Sequence, residues 1–74
     1  MLNNIERVIM KFSLLDTVTL VEDLPQEGLL YGMIGVVVDI YHQPYEAYEI
    51  EFCDNSGRTI AQLALLANQL SKQT

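Results

Sequence analysis

From residue 12 onward, apolar and polar side chains alternate with a period of two, which is typical of β-strands that bury one face. The alternating runs are rich in β-branched and aromatic residues, which favour strands. Ala47–Cys53 is the clearest case, because Tyr48, Ile50 and Phe52 alternate with Glu49 and Glu51. The pattern predicts four strands, over residues 16–22, 36–41, 47–53 and 58–66.

Turn residues separate these runs. Residues 54–57, Asp-Asn-Ser-Gly, predict a tight turn because Asn and Gly tolerate positive φ. Gly32 and Gly35 precede the second run, where we expect them to permit a bend or a positive φ. Residues 67–70 indicate a short terminal helical turn. Together these features predict an all-β fold, a small SH3-like barrel of four to five antiparallel strands, because a barrel removes exposed sheet edges.

The first ten residues follow a different pattern. Leu2, Ile5, Val8 and Ile9 fall at helical spacing, although a lone helix of this length is marginal in water. Met10 is also a candidate translational start, which would make residues 1–9 an upstream extension. We therefore predict an N-terminal extension over 1–10, helical or disordered, and a barrel domain over 11–71.

The chain is acidic. Its 74 residues carry ten acids and four bases, a formal net charge of −6. Nucleic-acid binding relies on Lys and Arg that neutralise phosphates, and four scattered bases make no basic stripe. Nucleic-acid binding and binding to an anionic membrane are therefore disfavoured, and a basic protein partner is favoured. The sequence contains no run of about 20 apolar residues, so we expect no membrane-spanning helix.

The residues for common site chemistries are scarce. One cysteine, Cys53, allows no internal disulfide, and with the single histidine, His42, it falls short of the roughly four ligands of a zinc site. His42 has no nucleophile at a recognisable spacing and lies in a predicted turn. We expect no catalytic residues, no metal and no cofactor, so the chain is predicted not to be an enzyme. A lone cysteine fits a reducing cytoplasm.

Six blocks of sequence carry a resemblance to a known family. They are KFSLLDTV (11–18), EDLP (22–25), GL (28–29), GMIGVV (32–37), YEIEF (48–52) and GRTIA (57–61). With their spacing, over roughly residues 10–70, the chain resembles a cyanobacteria-rich bacterial family, the domain-of-unknown-function family numbered four-nine-two-six. The resemblance implies an SH3-like barrel and no assigned activity. More loosely, Gly32-x-x-Gly35-x-Val37 looks like the core of KOW motifs.

The second predicted hairpin carries an acidic face. If Val38 and Ile40 share the core face with residues 48 and 50, then Asp39, Glu49 and Glu51 share the opposite one, with Asp39 across from Glu49. Such a patch suits a basic partner. The alternative is a solvated face that discourages aggregation, relieved in part by Arg58.

Apolar and aromatic residues near the predicted loops are the other candidates. Some of Leu29, Leu30, Met33, Leu65 and Leu66 are expected to remain exposed, because a barrel of this size cannot bury all of them, and such patches mark interfaces. Leu29, Leu30 and Met33 are the predicted contact residues. Tyr31, Tyr41 and Tyr45 lie at or near predicted strand ends, where they suit a peptide groove or alternatively cap the open ends of the barrel. Tyr31 and Tyr45 are the predicted contact residues among them. We therefore predict a non-catalytic protein-interaction module, such as an adaptor, an accessory subunit or an antitoxin-like partner. Self-association into a homo-oligomer is left open. The alternative function is a nucleic-acid or ribosome-associated KOW-like module.

Overall fold

The computed structural model describes residues 11–73, and the predictions for the first ten residues lie outside this range. The described chain forms five strands, and two short 3-10 turns lie at Pro25–Glu27 and Ala67–Gln69. The strands are β1 (Thr17–Leu20), β2 (Ile34–Tyr41), β3 (Ala47–Cys53), β4 (Thr59–Leu65) and β5 (Leu70–Lys72). The prediction of an all-β fold with four to five antiparallel strands and a short terminal helical turn is confirmed.

All five strands belong to one sheet, in the order β4-β3-β2-β1-β5, and every neighbouring pair is antiparallel. β2, β3 and β4 follow one another through short turns, which is the connection that antiparallel neighbours allow. The predicted turn before β4 forms, and Asp54 Oδ1 accepts hydrogen bonds from the backbone N–H groups of Ser56 (2.9 Å) and Arg58 (3.0 Å).

The sheet curls because its two edge strands are joined by a very short link. Across a flat five-stranded sheet, β4 and β5 would lie about 19 Å apart, four spacings of about 4.8 Å. The chain passes from Leu65 to Leu70 in five steps, three of them in a 3-10 turn, which reach only about 13 Å. The edges must therefore approach each other, so one face of the sheet turns inward.

The inward face forms the hydrophobic core. Phe12 closes one side of it, with its ring edge-on to Tyr48 at a centroid distance of 5.1 Å, a favoured aromatic geometry. Full burial of a large apolar side chain contributes about 1.5–3 kcal/mol, which makes this cluster the main source of stability. Its buried members are Phe12, Val18, Leu20, Leu29, Val37, Tyr48, Ile50, Phe52, Leu65 and Leu70.

A bulge in β2 corrects one prediction about the core. Val37 pairs with Ile50 and Asp39 pairs with Glu49, which leaves Val38 as an extra residue on β2. Val37 is consequently fully buried and Val38 only half-buried. The prediction that Val38 faces the core beside Ile50 is wrong, because strict alternation has no place for the extra residue.

The two glycines before and in β2 have different roles, and of the two only Gly32 has the expected positive φ. Gly32 has φ +91°, a left-handed conformation that favours glycine. Gly35 has no positive φ, but a Cβ atom there would lie 2.5 Å from Ile50 Cγ2 and 3.0 Å from Phe52 Cδ1. Gly35 is therefore required by the close approach of the β3 side chains rather than by a turn.

Candidate functional site

The outer face of the β2–β3 hairpin carries three carboxylates, Asp39, Glu49 and Glu51, which we name the acidic face. Asp39 lies directly across from Glu49, as predicted, and Glu51 lies across from Val36 on the same side of the sheet. Like charges directly opposite each other destabilise a sheet by some tenths of a kcal/mol. The bulge at Val38 leaves this arrangement intact because the Asp39–Glu49 pairing follows it.

Neutral donors hold the carboxylates in place. The Tyr41 hydroxyl donates to Glu49 Oε1 (3.1 Å), and Gln62 Nε2 donates to Glu49 Oε2 (3.3 Å). The Thr59 hydroxyl donates to the Glu51 carboxylate. These hydrogen bonds orient Glu49 and Glu51 without neutralising them, so the face keeps its negative charge.

The basic side chains within residues 11–73 that form ion pairs do so with acids away from the acidic face. Arg58 Nε lies 3.3 Å from Asp54 Oδ2, and Lys72 Nζ lies 3.6 Å from Asp16 Oδ2. The expectation that Arg58 relieves the acidic face is therefore wrong. The tight turn before β4 holds Arg58 beside Asp54 through the same residues that form the turn.

The carboxylates of the acidic face change the pKa of the neighbouring Tyr41 hydroxyl. The hydrogen bond to Glu49 raises the pKa of the Tyr41 hydroxyl above its ordinary value. Burial and then the negative charges of Glu49 and Asp39 raise this pKa further. Tyr41 therefore remains a proton donor toward Glu49 at neutral pH.

The residues of the predicted apolar patch differ widely in how far they are buried. Leu29 is fully buried, so the prediction that it lies in an exposed contact patch is wrong. It pairs with Leu24 through two backbone hydrogen bonds of 2.8 and 3.1 Å, which turn its side chain into the core. Leu30 and Tyr31 are 56% and 68% exposed, whereas Met33 is half-buried and packs against the core.

Tyr31 and Tyr45 lie in the loops at opposite ends of β2. Tyr31 precedes the strand, where its backbone N–H donates to Asp23 Oδ1 (2.7 Å), and Tyr45 follows the strand with 63% exposure. Within residues 11–73 the ring pair in contact is Phe12 with Tyr48, so the structure stacks neither loop tyrosine on another ring. It brings Asp39 and Glu49 together, but it does not assemble these two tyrosines into an aromatic cluster.

One polar cluster has no counterpart among the sequence-based predictions. The buried Tyr48 hydroxyl donates to the Glu46 carboxylate and accepts the backbone N–H of Lys11 (3.1 Å). Burial, followed by the hydrogen bond to Glu46, raises the pKa of Tyr48. Alternation places Tyr48 on the core face, but Lys11 is distant in sequence, so the only available signal was a core residue with a polar end close to Glu46.

Other kinds of site are missing from the described part of the chain. Residues 11–73 contain no group of three His, Cys, Asp or Glu side chains placed to hold a metal ion. The surface formed by these residues has no pocket for a small ligand. No helix within them is long and apolar enough to cross a membrane.

The family relationship is decided by a match over most of the chain. The model of the family described as Domain of unknown function (DUF4926) matches residues 14–72. The chain belongs to this family. The match includes all five strands of the DUF4926 domain and all three residues of the acidic face, and it confirms the family resemblance predicted from the sequence. No curated protein and no solved structure is similar enough to count as a match.

Proposed function

We propose that this DUF4926 domain is a non-catalytic protein-interaction module that binds a basic protein through its acidic face. The observation that carries the proposal is the pairing of Asp39 with Glu49, with Glu51 beside them, while Arg58 and Lys72 pair with other acids. A sheet that places like charges opposite each other gives up some stability. A partner that supplies Lys or Arg side chains would recover it.

The acidic face contributes mainly to the rate and the specificity of binding. Each exposed ion pair across an interface is worth about 0.2–1 kcal/mol, so three carboxylates alone make a weak complex. The net charge of −6 attracts a basic partner over a longer range and raises the association rate. Association steered in this way weakens as salt increases, which gives the complex a measurable signature.

Exposed apolar residues supply the remaining affinity in this proposal. Leu30 and Tyr31 lie before β2, and Tyr45 lies after it, all more than half exposed. Tyrosine is enriched among the residues that dominate binding energy, because its large ring is rigid and its hydroxyl finds a partner at the rim. Met33 is half-buried and takes part through its accessible side.

We place the domain in the cytoplasm as an adaptor, an accessory subunit or an antitoxin-like partner. The exposed free thiol of Cys53 is compatible with a reducing compartment. In this proposal the domain performs no chemistry itself and acts by covering or positioning a second protein. The antitoxin-like version adds that the partner is itself a basic, active protein whose surface the domain blocks.

Charge reversal of one carboxylate tests the proposal. The tagged chain is used to capture partners from the host lysate, and the captured basic protein is then purified for titration calorimetry at several salt concentrations. Asp39→Lys is compared with Glu27→Lys, which makes the same change of charge at an exposed residue away from the acidic face. We expect Asp39→Lys to weaken binding at least tenfold and Glu27→Lys to leave it within about twofold.

Three results would contradict the proposal. One is a partner with no excess of basic residues. Another is a dissociation constant that responds equally to the two substitutions, because net charge alone would then explain binding. The third is specific binding of RNA or DNA by the purified chain at physiological salt, which would instead favour the KOW-like nucleic-acid module.

A further inference from the structure

Leu15 is held in a backbone conformation that leucine disfavours. Its φ is +70°, and among residues 11–73 it is the one non-glycine residue with a positive φ. The Asp16 N–H donates to the Ser13 carbonyl (3.1 Å), which closes a four-residue turn with Leu15 in its third position. Glycine or asparagine normally occupies that position, because a β-carbon crowds the following carbonyl when φ is positive.

The same residue takes part in a bulge between β2 and the segment that leads into β1. The Leu15 N–H donates to the Val37 carbonyl (2.8 Å), whereas the Val37 N–H donates to the Asp16 carbonyl (3.0 Å). Two successive residues therefore oppose Val37. A bulge whose first residue has a positive φ is ordinarily built on glycine. The turn and the bulge thus both favour glycine at the position that Leu15 occupies.

The fold fixes Leu15 in place without burying its side chain. The Ser13 N–H donates to Asp16 Oδ2 (2.9 Å), and Lys72 Nζ lies 3.6 Å from the same oxygen, so hydrogen bonds and an ion pair hold the turn. Leu15 is nevertheless 76% exposed, more than any other large apolar side chain in the described part of the chain. Strained residues persist where their surroundings fix them, and they cluster at functional sites. A strained leucine that is not buried in the fold is best explained by contact with another molecule.

Leu15 lies next to the acidic face. The antiparallel pairing of Thr17 with Val36 continues backward along the chain to Leu15 and forward along β2 to the bulge at Val38. Leu15 is therefore about one strand spacing, roughly 5 Å, from this part of β2. Asp39 is the next residue of β2 after the bulge. An exposed apolar side chain and the carboxylates thus form one continuous surface.

We propose that Leu15 is the apolar anchor of the partner-binding surface. Its occupant is a basic protein segment in which an apolar side chain is flanked by Lys or Arg. The apolar side chain packs on Leu15, and the basic side chains reach Asp39 and Glu49. This inference rests on the proposed function and adds to it the chemistry of the bound segment.

Charge and rigidity support this occupant. The net charge of −6 and the neighbouring carboxylates attract a segment that carries positive charge around its apolar residue, and they repel a second copy of this chain. The turn presents Leu15 in one conformation before binding, so little conformational freedom is lost when the partner covers it. The cost of the strained backbone is then offset in the complex.

The first test needs no partner. Leu15→Gly removes the side chain together with the strain, whereas Leu15→Ala removes most of the side chain and keeps a β-carbon at positive φ. Leu66→Gly is the matched control, because Leu66 is a 41% exposed leucine with an ordinary φ of −85°. We expect Leu15→Gly to raise the melting temperature by about 2–6 °C, Leu15→Ala to leave it within about 2 °C, and Leu66→Gly to lower it. A melting temperature of Leu15→Gly equal to or below that of the wild type overturns the proposal, because the side chain would then serve a contact within this chain.

The second test uses a defined probe, a capped pentapeptide with one tryptophan between two pairs of lysines. The protein contains no tryptophan, so the fluorescence of the peptide reports binding. We expect Leu15→Gly and Leu15→Ala each to raise the dissociation constant by about threefold or more, and Leu66→Gly to change it by less than about twofold. A peptide with serine in place of tryptophan, measured by competition, should bind the wild type more weakly.

Asp39→Lys separates this inference from the proposed function. Weaker binding to Asp39→Lys with unchanged binding to Leu15→Gly overturns the anchor and leaves the acidic face as the binding surface. The reverse pattern supports the anchor and contradicts the acidic face. Equal binding of the tryptophan and serine peptides overturns the anchor, and so does the absence of binding to the wild type up to about 5 mM peptide.

Discussion

Gly35→Ala tests how closely β3 packs against β2. The substitution adds one methyl group in the middle of the sheet, at a residue whose backbone has no positive φ. The added Cβ atom would lie 2.5 Å from Ile50 Cγ2 and 3.0 Å from two ring atoms of Phe52. Both neighbours are buried, with exposures of 0% and 1%, so neither can move into solvent.

The magnitude follows from this overlap. Carbon atoms in contact prefer about 3.5–4.0 Å, so the methyl group enters its neighbour by about 1 Å. Overpacking of this kind costs about 1–3 kcal/mol, and occasionally more. The conformational preference of alanine over glycine in a strand offsets about 0.5–1 kcal/mol of that. We expect a net loss of about 1–2 kcal/mol, or a melting temperature lower by about 4–16 °C.

Thermal and urea denaturation followed by circular dichroism measure the loss, and a double-mutant cycle locates it. Ile50→Leu keeps the volume of the side chain but removes the Cγ2 methyl that meets the new Cβ. We therefore expect Gly35→Ala to cost less in the Ile50→Leu background than in the wild type. Gly57→Ala is the control, because φ there is +87° and no atom lies within 4 Å, so its cost is backbone strain without coupling to Ile50. Wild-type stability of Gly35→Ala, or strictly additive losses in the cycle, would refute the packing argument.

Further predictions concern burial and titration. Leu29→Ala should lower the free energy of unfolding by about 2–5 kcal/mol and Leu30→Ala by less than about 0.5 kcal/mol in urea denaturation; equal losses would contradict the burial of Leu29. The folded pKa of Tyr48 is raised above 10.0, so the stabilisation that it provides below pH 10.0 is lost as the pH rises through the folded value. Alkaline unfolding should show this loss in the wild type and not in Tyr48→Phe. Hydrogen bonds, first from the Ser56 hydroxyl, lower the pKa of Asp54 below 3.8, so its contribution is present above pH 3.8 and lost as the pH falls through the folded value. Asp54→Ala should flatten this part of the acid-unfolding profile, and an unchanged profile would contradict the assignment.

The acidic face was partly predictable because the side of the sheet on which a residue lies follows from its position along its own strand. Side chains two residues apart on a strand share a face, so alternation alone places Glu49 beside Glu51. Pairing across the hairpin in its simplest register then places Asp39 opposite Glu49, and this is the pairing that forms. The donors to these carboxylates were not predictable, because Gln62 and Thr59 come from a strand whose register is set only on packing.

The chain's own periodicity and turn residues determined four strands, the tight turn at residues 54–57 and the side of the sheet that carries the acids, because these follow from the geometry of one strand and its nearest turn. The tertiary structure alone decided the bulge at Val38, the burial of Leu29 and the position of β4 at one edge of the sheet. Each of these depends on which segments meet after the sheet curls. Closing a sheet around one core changes register and burial at residues whose local sequence pattern is unaltered.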